Sequence, residues 1–148
     1  MKKTQVIFLL FFVIISSCRE QKTDSLIYYE SHEPKKINAP FSDAVEANGF
    51  LFLAGQVGMD QGTRTLVQGG IKAETKQCIE NIKAVLEQHG SSLDRVVKCT
   101  VILKQIEDFA AFNEVYKTYF PNKPARTTFA ASGLAVGAQI EIDVIALK

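Results

Sequence analysis

The run from Ala138 to Leu147 constrains the fold more than any other segment. Ile140, Ile142, Val144 and Ala146 alternate with Glu141, Asp143, Ile145 and Leu147, which is the two-residue period of a β-strand. One face of that strand is wholly apolar and belongs against a core. The other carries two carboxylates beside two apolar residues, a mixed face of the kind that a second subunit covers in part. Arg126 lies just upstream, in Pro124-Ala125-Arg126-Thr127. A fixed cation and the carboxylate of Glu141, each inside a strand-like apolar stretch, are costly to bury unless paired or used. Two readings are open. One is a structural ion pair between neighbouring strands. The other is a site that holds a small carboxylate beside a proton-handling Glu.

The rest of the chain supplies the layers such a strand needs. Leu26 to Tyr29 has aromatic and β-branched content and predicts a short first strand. Pro34, two lysines and Pro40 mark a loop, and Asp43 to Ala47 predicts a second strand. Asn48-Gly49 is the strongest two-residue hairpin signal. It leads into Phe50 to Ala54, whose unbroken apolarity predicts burial on both faces. Gly55 to Gly70 is Gly-rich and reads as irregular. From Ile71 to His89 the period changes: Ile71, Thr75, Cys78, Ile79, Ile82, Val85, Leu86 and His89 share a helical stripe, with Lys and Glu opposite. Gly90 suits the stop. Val96 to Leu103 predicts a strand. A second helix starts at Asp108 or a near neighbour, presents Phe109, Phe112, Val115, Tyr116 and Tyr119, and ends before Pro121 and Pro124. Thr127 to Ala131 and Ala138 to Leu147 are the last strands, joined by a Gly-containing turn at residues 132–137. The order predicts an α+β fold with one mixed β-sheet and two helices on one face. Residues 26–148 form one domain, without repeat or low-complexity tract.

The N-terminus reads separately. Lys2 and Lys3 precede an unbroken apolar run from Val6 to Ile15, short of the ~20 residues that span a bilayer but right for a signal-peptide core. Ile15-Ser16-Ser17-Cys18 resembles the lipobox of bacterial lipoproteins, a family in which the signal is cut before the Cys and the Cys is lipidated. Residues 1–17 are then the signal and 18–25 a polar tether from Cys18, reaching about 25 Å when extended. An ordinary secretory signal with a chance Cys is the alternative. The expected location is the cell envelope, periplasmic or anchored in the outer membrane, for which Arg19 in place of Asp is the weak indicator. Cleavage takes two of the 17 basic residues and none of the 16 acidic ones, so the remainder is close to neutral. It has no electrostatic footprint for nucleic acid. Cys78 and Cys99 sit among apolar neighbours and read as buried thiols rather than a disulfide.

Several segments in order carry a family likeness: Ala39-Pro40-Phe41-Ser42-Asp43-Ala44-Val45, Ala54-Gly55-Gln56-Val57-Gly58, Val97-Lys98-Cys99-Thr100-Val101, and Pro124-Ala125-Arg126-Thr127 with Ile140-Glu141-Ile142. So do Asn81, Ala84 and Leu86, together with Asp108-Phe109 through Phe112-Asn113-Glu114-Val115-Tyr116. From about Leu26 onward the chain resembles the RidA/YjgF family of reactive-intermediate deaminases. The resemblance implies a chorismate-mutase-like fold and a homotrimer with clefts between subunits. It implies hydrolysis of enamine and imine intermediates, such as 2-aminoacrylate, to 2-oxo acids and ammonia, without metal or organic cofactor. By the same likeness Arg126 binds the substrate carboxylate, Glu141 activates water, Gly55 sits at the strand-end turn and Asn113 near the cleft. Three lining positions depart from the family. Phe41 stands where a Tyr is common, Ala54 where a Ser is common, and Thr128 where a Cys is common.

Arg suits a carboxylate because its planar fork makes two parallel charge-assisted bonds. Other chemistries find little support. His32 and His89 are the two histidines, and no Ser/His/Asp set or His/Cys metal cluster assembles. Gly55-Gln56-Val57-Gly58 lacks the spacing of a dinucleotide fingerprint. The near-neutral charge lends nothing to a ribonuclease activity. Two readings compete with the deaminase. A module of the same fold that binds small acids without turnover is favoured by the hydroxyls lost at Phe41 and Ala54. A membrane-tethered interaction or chaperone-like protein predicts an exposed apolar patch away from the cleft.

Overall fold

The computed structural model describes residues 25–31 and 33–148. The segment read as a signal, Cys18, His32 and nearly all of the tether lie outside the described residues. The elements are β1 (Ile27–Tyr29), β2 (Ala44–Ala47), β3 (Phe50–Leu53), β4 (Gln56–Val57), α1 (Gly70–Gln88), β5 (Val96–Leu103), α2 (Phe109–Tyr119), β6 (Ala125–Ala130) and β7 (Ile140–Leu147). They form one mixed sheet in the order β1-β2-β3-β7-β5-β6, with β4 also on β7. Only β5 and β6 run parallel. The hairpin turns at Asn48 and Gly49, both at positive φ (50° and 79°), the primed geometry that matches strand twist. Gly90 ends α1 at φ 74°, where the amide of Ser91 donates to the carbonyl of Leu86.

The strand β7 is central and divides as its alternation predicts. Ile140, Ile142, Val144 and Ala146 are buried, and Glu141, Asp143 and Ile145 are partly open. On the buried side lie Leu51, Leu53, Cys99, Val101 and Leu103 of neighbouring strands. Both helices cover that face, α1 through Cys78, Ile79, Ile82, Val85 and Leu86, and α2 through Phe112 and Tyr116. Cys78 and Cys99 are free and buried, as read from their neighbours. Two buried polar residues interrupt the helical stripe. Glu74 accepts the amide of Gln139 at 2.8 Å, and Asn81 donates to the carbonyls of Val57 and Met59.

The expectation that Phe50 to Ala54 is buried on both faces fails. Leu51 and Leu53 are buried, whereas Phe50 and Phe52 are 36% and 43% exposed. Both helices lie on one side, and among the described residues nothing covers the other. Phe50 pairs with Leu147 and Phe52 with Ile145, so this open face is apolar along its middle. Phe129 on β6 adds to it, opposite Ile102. The stretch read as irregular contains β4. From Phe52 to Gln56 the chain advances four residues while β7 advances three, from Ile145 to Ile142. The extra residue is a bulge at Ala54-Gly55, a device that commonly re-aims side chains beside a site.

Candidate functional site

Glu141 lies against this bulge. Its backbone pairs with Val57 on one side and Ile102 on the other, and its carboxyl group turns to the side away from the helices. There it rests on Gly55, so closely that a Cβ on Gly55 would overlap Glu141 Oε1. Gly55 is thus needed for close approach, beyond any role in the strand exit. Burial raises the Glu141 carboxyl above the ordinary carboxylate value, and the neighbouring Asp143 adds to the shift. Among the described residues no cation forms a salt bridge with it. It opens on a cavity of about 330 Å³ lined also by Phe41, Ala54, Gln56, Met59 and Val136, within the size range of small-ligand sites. Phe41 is 56% exposed at the rim. This cavity therefore gathers four of the positions read from the sequence: Phe41, Ala54, Gly55 and Glu141.

Arg126 is elsewhere. In β6 it pairs with Cys99, and Thr128 pairs with Val101, so both turn to the helix side of the sheet. The Arg126 guanidinium lies over an aromatic bed on α2, with its central carbon 4.5 Å from the Tyr116 ring centroid, 5.0 Å from Phe112 and 5.6 Å from Phe109. Such stacking immobilises the fork and leaves its edges for an anion. Tyr116 in turn donates to Cys99 Sγ at 3.2 Å. Burial is the main cause that raises the Cys99 thiol to about 11, so it remains a thiol at neutral pH. Arg126 shares a shallow groove with Asn113, Tyr116, Lys117, Lys123 and Pro124. The Thr128 hydroxyl is buried nearby without a hydrogen-bond partner.

The two charged residues thus occupy opposite faces of one sheet. The structural ion pair within the chain, one of the two readings of the sequence, does not form. Nor does one chain bring Arg126 and Glu141 to a common ligand. The predicted site residues fall instead into two half-sites: Glu141, Gly55, Ala54 and Phe41 around the cavity, and Arg126, Asn113 and Thr128 on or beside the β6 edge. Tyr116, Gln56 and Arg64 were missed as members of these surroundings. Tyr116 looked like core, and the segment that holds Arg64 has no periodicity from which to place it. Among the described residues no cluster of three His, Cys, Asp or Glu side chains could hold a metal ion.

A sheet of this order with two helices on one face, a carboxylate at a strand-end bulge and an arginine on the edge strand defines a class of small α+β proteins. The profile of the Endoribonuclease L-PSP family matches residues 31–148. The chain belongs to that family, also called RidA/YjgF. It is 47% identical over 123 residues to the RutC family protein PH0854 of Pyrococcus horikoshii, covering 82% of this chain and 97% of that one. It is 40% identical over 110 residues to the 2-iminobutanoate/2-iminopropanoate deaminase of Homo sapiens, covering 74% and 80%. Among solved structures, yeast YEO7 matches with TM-score 0.78 at 39% identity, over 84% of this chain and 99% of that one. YyfA of Yersinia pestis, from the Rid protein family, matches with TM-score 0.78 at 35% identity, over 84% and 100%.

Proposed function

We propose that this protein hydrolyses 2-imino acids to 2-oxo acids and ammonia, at sites completed between subunits of a homotrimer. The carrying observation is the Glu141 carboxyl, half-buried, raised and in no salt bridge among the described residues, on the glycine wall of a cavity. The family supports the reaction, since relatives about 40% identical bear the name of such deaminases. Arg126 of one copy clamps the substrate carboxylate, and Glu141 of the next faces the imine carbon. Water adds to that carbon as Glu141 takes its proton and passes it to nitrogen, giving a carbinolamine. Glu141 then moves the hydroxyl proton to the amine, the C–N bond breaks, and ammonia leaves a 2-oxo acid. An enamine is first protonated on carbon by the same carboxyl. Imine hydrolysis is already fast in water, so two charged groups suffice.

The test is release of ammonia and 2-oxo acid from freshly generated 2-imino acids by the purified protein. Turnover above the spontaneous rate is expected. Arg126→Ala should lose a charged hydrogen bond worth about 1.5–3 kcal/mol, roughly 10- to 150-fold in kcat/KM. Unchanged efficiency in that variant sinks the assignment. Acid binding without turnover would instead favour the binding module, which the hydroxyl-free Phe41 and Ala54 make the second reading.

Export is part of the proposal. The basic start, the apolar run and Cys18 support a lipid anchor that tethers residues 26–148 to the cell envelope. Cys18→Ser should move the protein from the membrane to the soluble fraction, and an unchanged distribution counts against the anchor.

A further inference from the structure

The cavity wall carries a charged network that neither Glu141 nor Arg126 explains. Arg64 Nη1 donates to Glu33 Oε2 at 2.9 Å. Lys36 Nζ lies 2.7 Å from the other Glu33 oxygen and 3.7 Å from Asp43 Oδ1. The carboxylates are nearly sealed, with side chains 7% and 2% exposed, whereas the Arg64 side chain is 30% exposed. Glu33, Lys36 and Arg64 all border the cavity and Asp43 lies behind them, and Arg64 is the most exposed of the four. Charges balance overall, but exposure does not, because the two cations are more open than the two carboxylates. Arg64 uses one of its five N–H donors on Glu33, so donors remain for a ligand. A carboxylate fixed behind a guanidinium also orients it, as the support behind a binding residue should.

The backbone points the same way. Arg64 sits at φ 62°, where glycine or asparagine is the ordinary occupant. The turn around it is held without its side chain. The Asp60 amide donates to the Thr65 carbonyl, and Asp60 Oδ1 accepts from the amide and hydroxyl of Thr63. Lys35 Nζ donates to the Gly62 carbonyl and ties the turn to the segment that holds Glu33. The turn therefore has other fastenings, and an arginine in a strained conformation calls for a use of its charge.

We infer that Arg64 is a specificity-determining residue that binds the distal carboxylate of 2-imino dicarboxylic acids. This rests on the reading of the cavity as the 2-imino acid site. Arg126 holds the carboxylate next to the imine, Glu141 faces the imine carbon, and Arg64, across the same cavity, takes the second carboxylate. Substrates then come from reactions that oxidise amino acids with acidic side chains to the imine, or that eliminate water from their β-hydroxylated forms.

Binding of product analogues tests this without turnover. The purified protein is titrated calorimetrically with 2-oxoglutarate and with 2-oxopentanoate, which carries a methyl group in place of the distal carboxylate. We expect 2-oxoglutarate to bind roughly tenfold or more tightly, the worth of a charged hydrogen bond. Arg64→Gly, which suits the left-handed backbone, should collapse that ratio, and Arg64→Asn serves if the glycine loosens the turn. Equal affinities, or a ratio that survives in both variants, overturn the role of Arg64 while leaving the 2-imino acid reading intact. If neither acid binds, that reading fails and this inference with it.

Discussion

Gly55 and Glu141 form the tightest link between sequence and proposed chemistry. Because a methyl group at Gly55 would overlap Glu141 Oε1, Gly55→Ala must push the carboxyl away or move the bulge. The expected result is at least a tenfold loss of kcat/KM, with overpacking costing about 1–3 kcal/mol in thermal unfolding. A variant with native activity and stability would contradict the geometry. The pH profile follows from the raised Glu141 carboxyl. Glu141 takes a proton from water only when ionised, so kcat/KM should rise with pH through its pKa. Because that pKa is raised, the acidic limb should lie above the ordinary carboxylate range. Asp143 adds to the shift, so Asp143→Asn should move the limb to lower pH, and Glu141→Gln should abolish it. Glu141 was legible as a candidate because a carboxylate in an alternating apolar run has to be explained. Its dependence on Gly55 was not, because close approach is a tertiary fact. Arg64 was hidden for a similar reason, since Glu33, its partner, lies 31 positions away.

At the level of elements, α2 supports Arg126 through three rings. Replacing Tyr116 by Leu keeps the bulk and removes a cation–π contact worth about 0.5–2 kcal/mol. Affinity for 2-oxo acids should fall about 2- to 30-fold, read by titration. Phe112→Ala should instead act on stability, by about 3–5 kcal/mol, since its ring is fully buried in the core. The periodicities located α1, α2, β5 and β7 within a few residues. They could not show that Arg126 and Glu141 face opposite ways. Alternation sets which residues of one strand share a face, but the relation between two strands depends on register. Here β6 is parallel to β5 and β7 antiparallel to it, an arrangement no local pattern encodes. The apolar run at Phe50 misled for a related reason. Its outward phenylalanines belong to the open face, and an apolar residue on an uncovered face reads in the sequence like a core residue.

For the whole molecule, the proposed reaction needs a second copy, because the two half-sites lie on opposite faces. Arg126→Ala should be at least tenfold impaired alone, and Glu141→Gln nearly inactive. Co-refolded in equal amounts as trimers, they should recover about a quarter of wild-type activity, because random assembly completes that share of sites. Absence of recovery would place both residues in one subunit's site and contradict the division seen here. Phe52→Glu puts a charge on the open face and should lower the mass in solution and the activity together. The central position of β7 has one more consequence. The same few residues contribute the middle of the folding core on one side and the proton-handling group on the other. A one-residue deletion inside β7 would put the residues on its two sides out of phase, turning a carboxylate toward the helices or an isoleucine toward the cavity. The strand should therefore tolerate substitution far better than a change of length. A change of length is better placed in segments such as residues 131–134, where an added residue leaves that phase untouched.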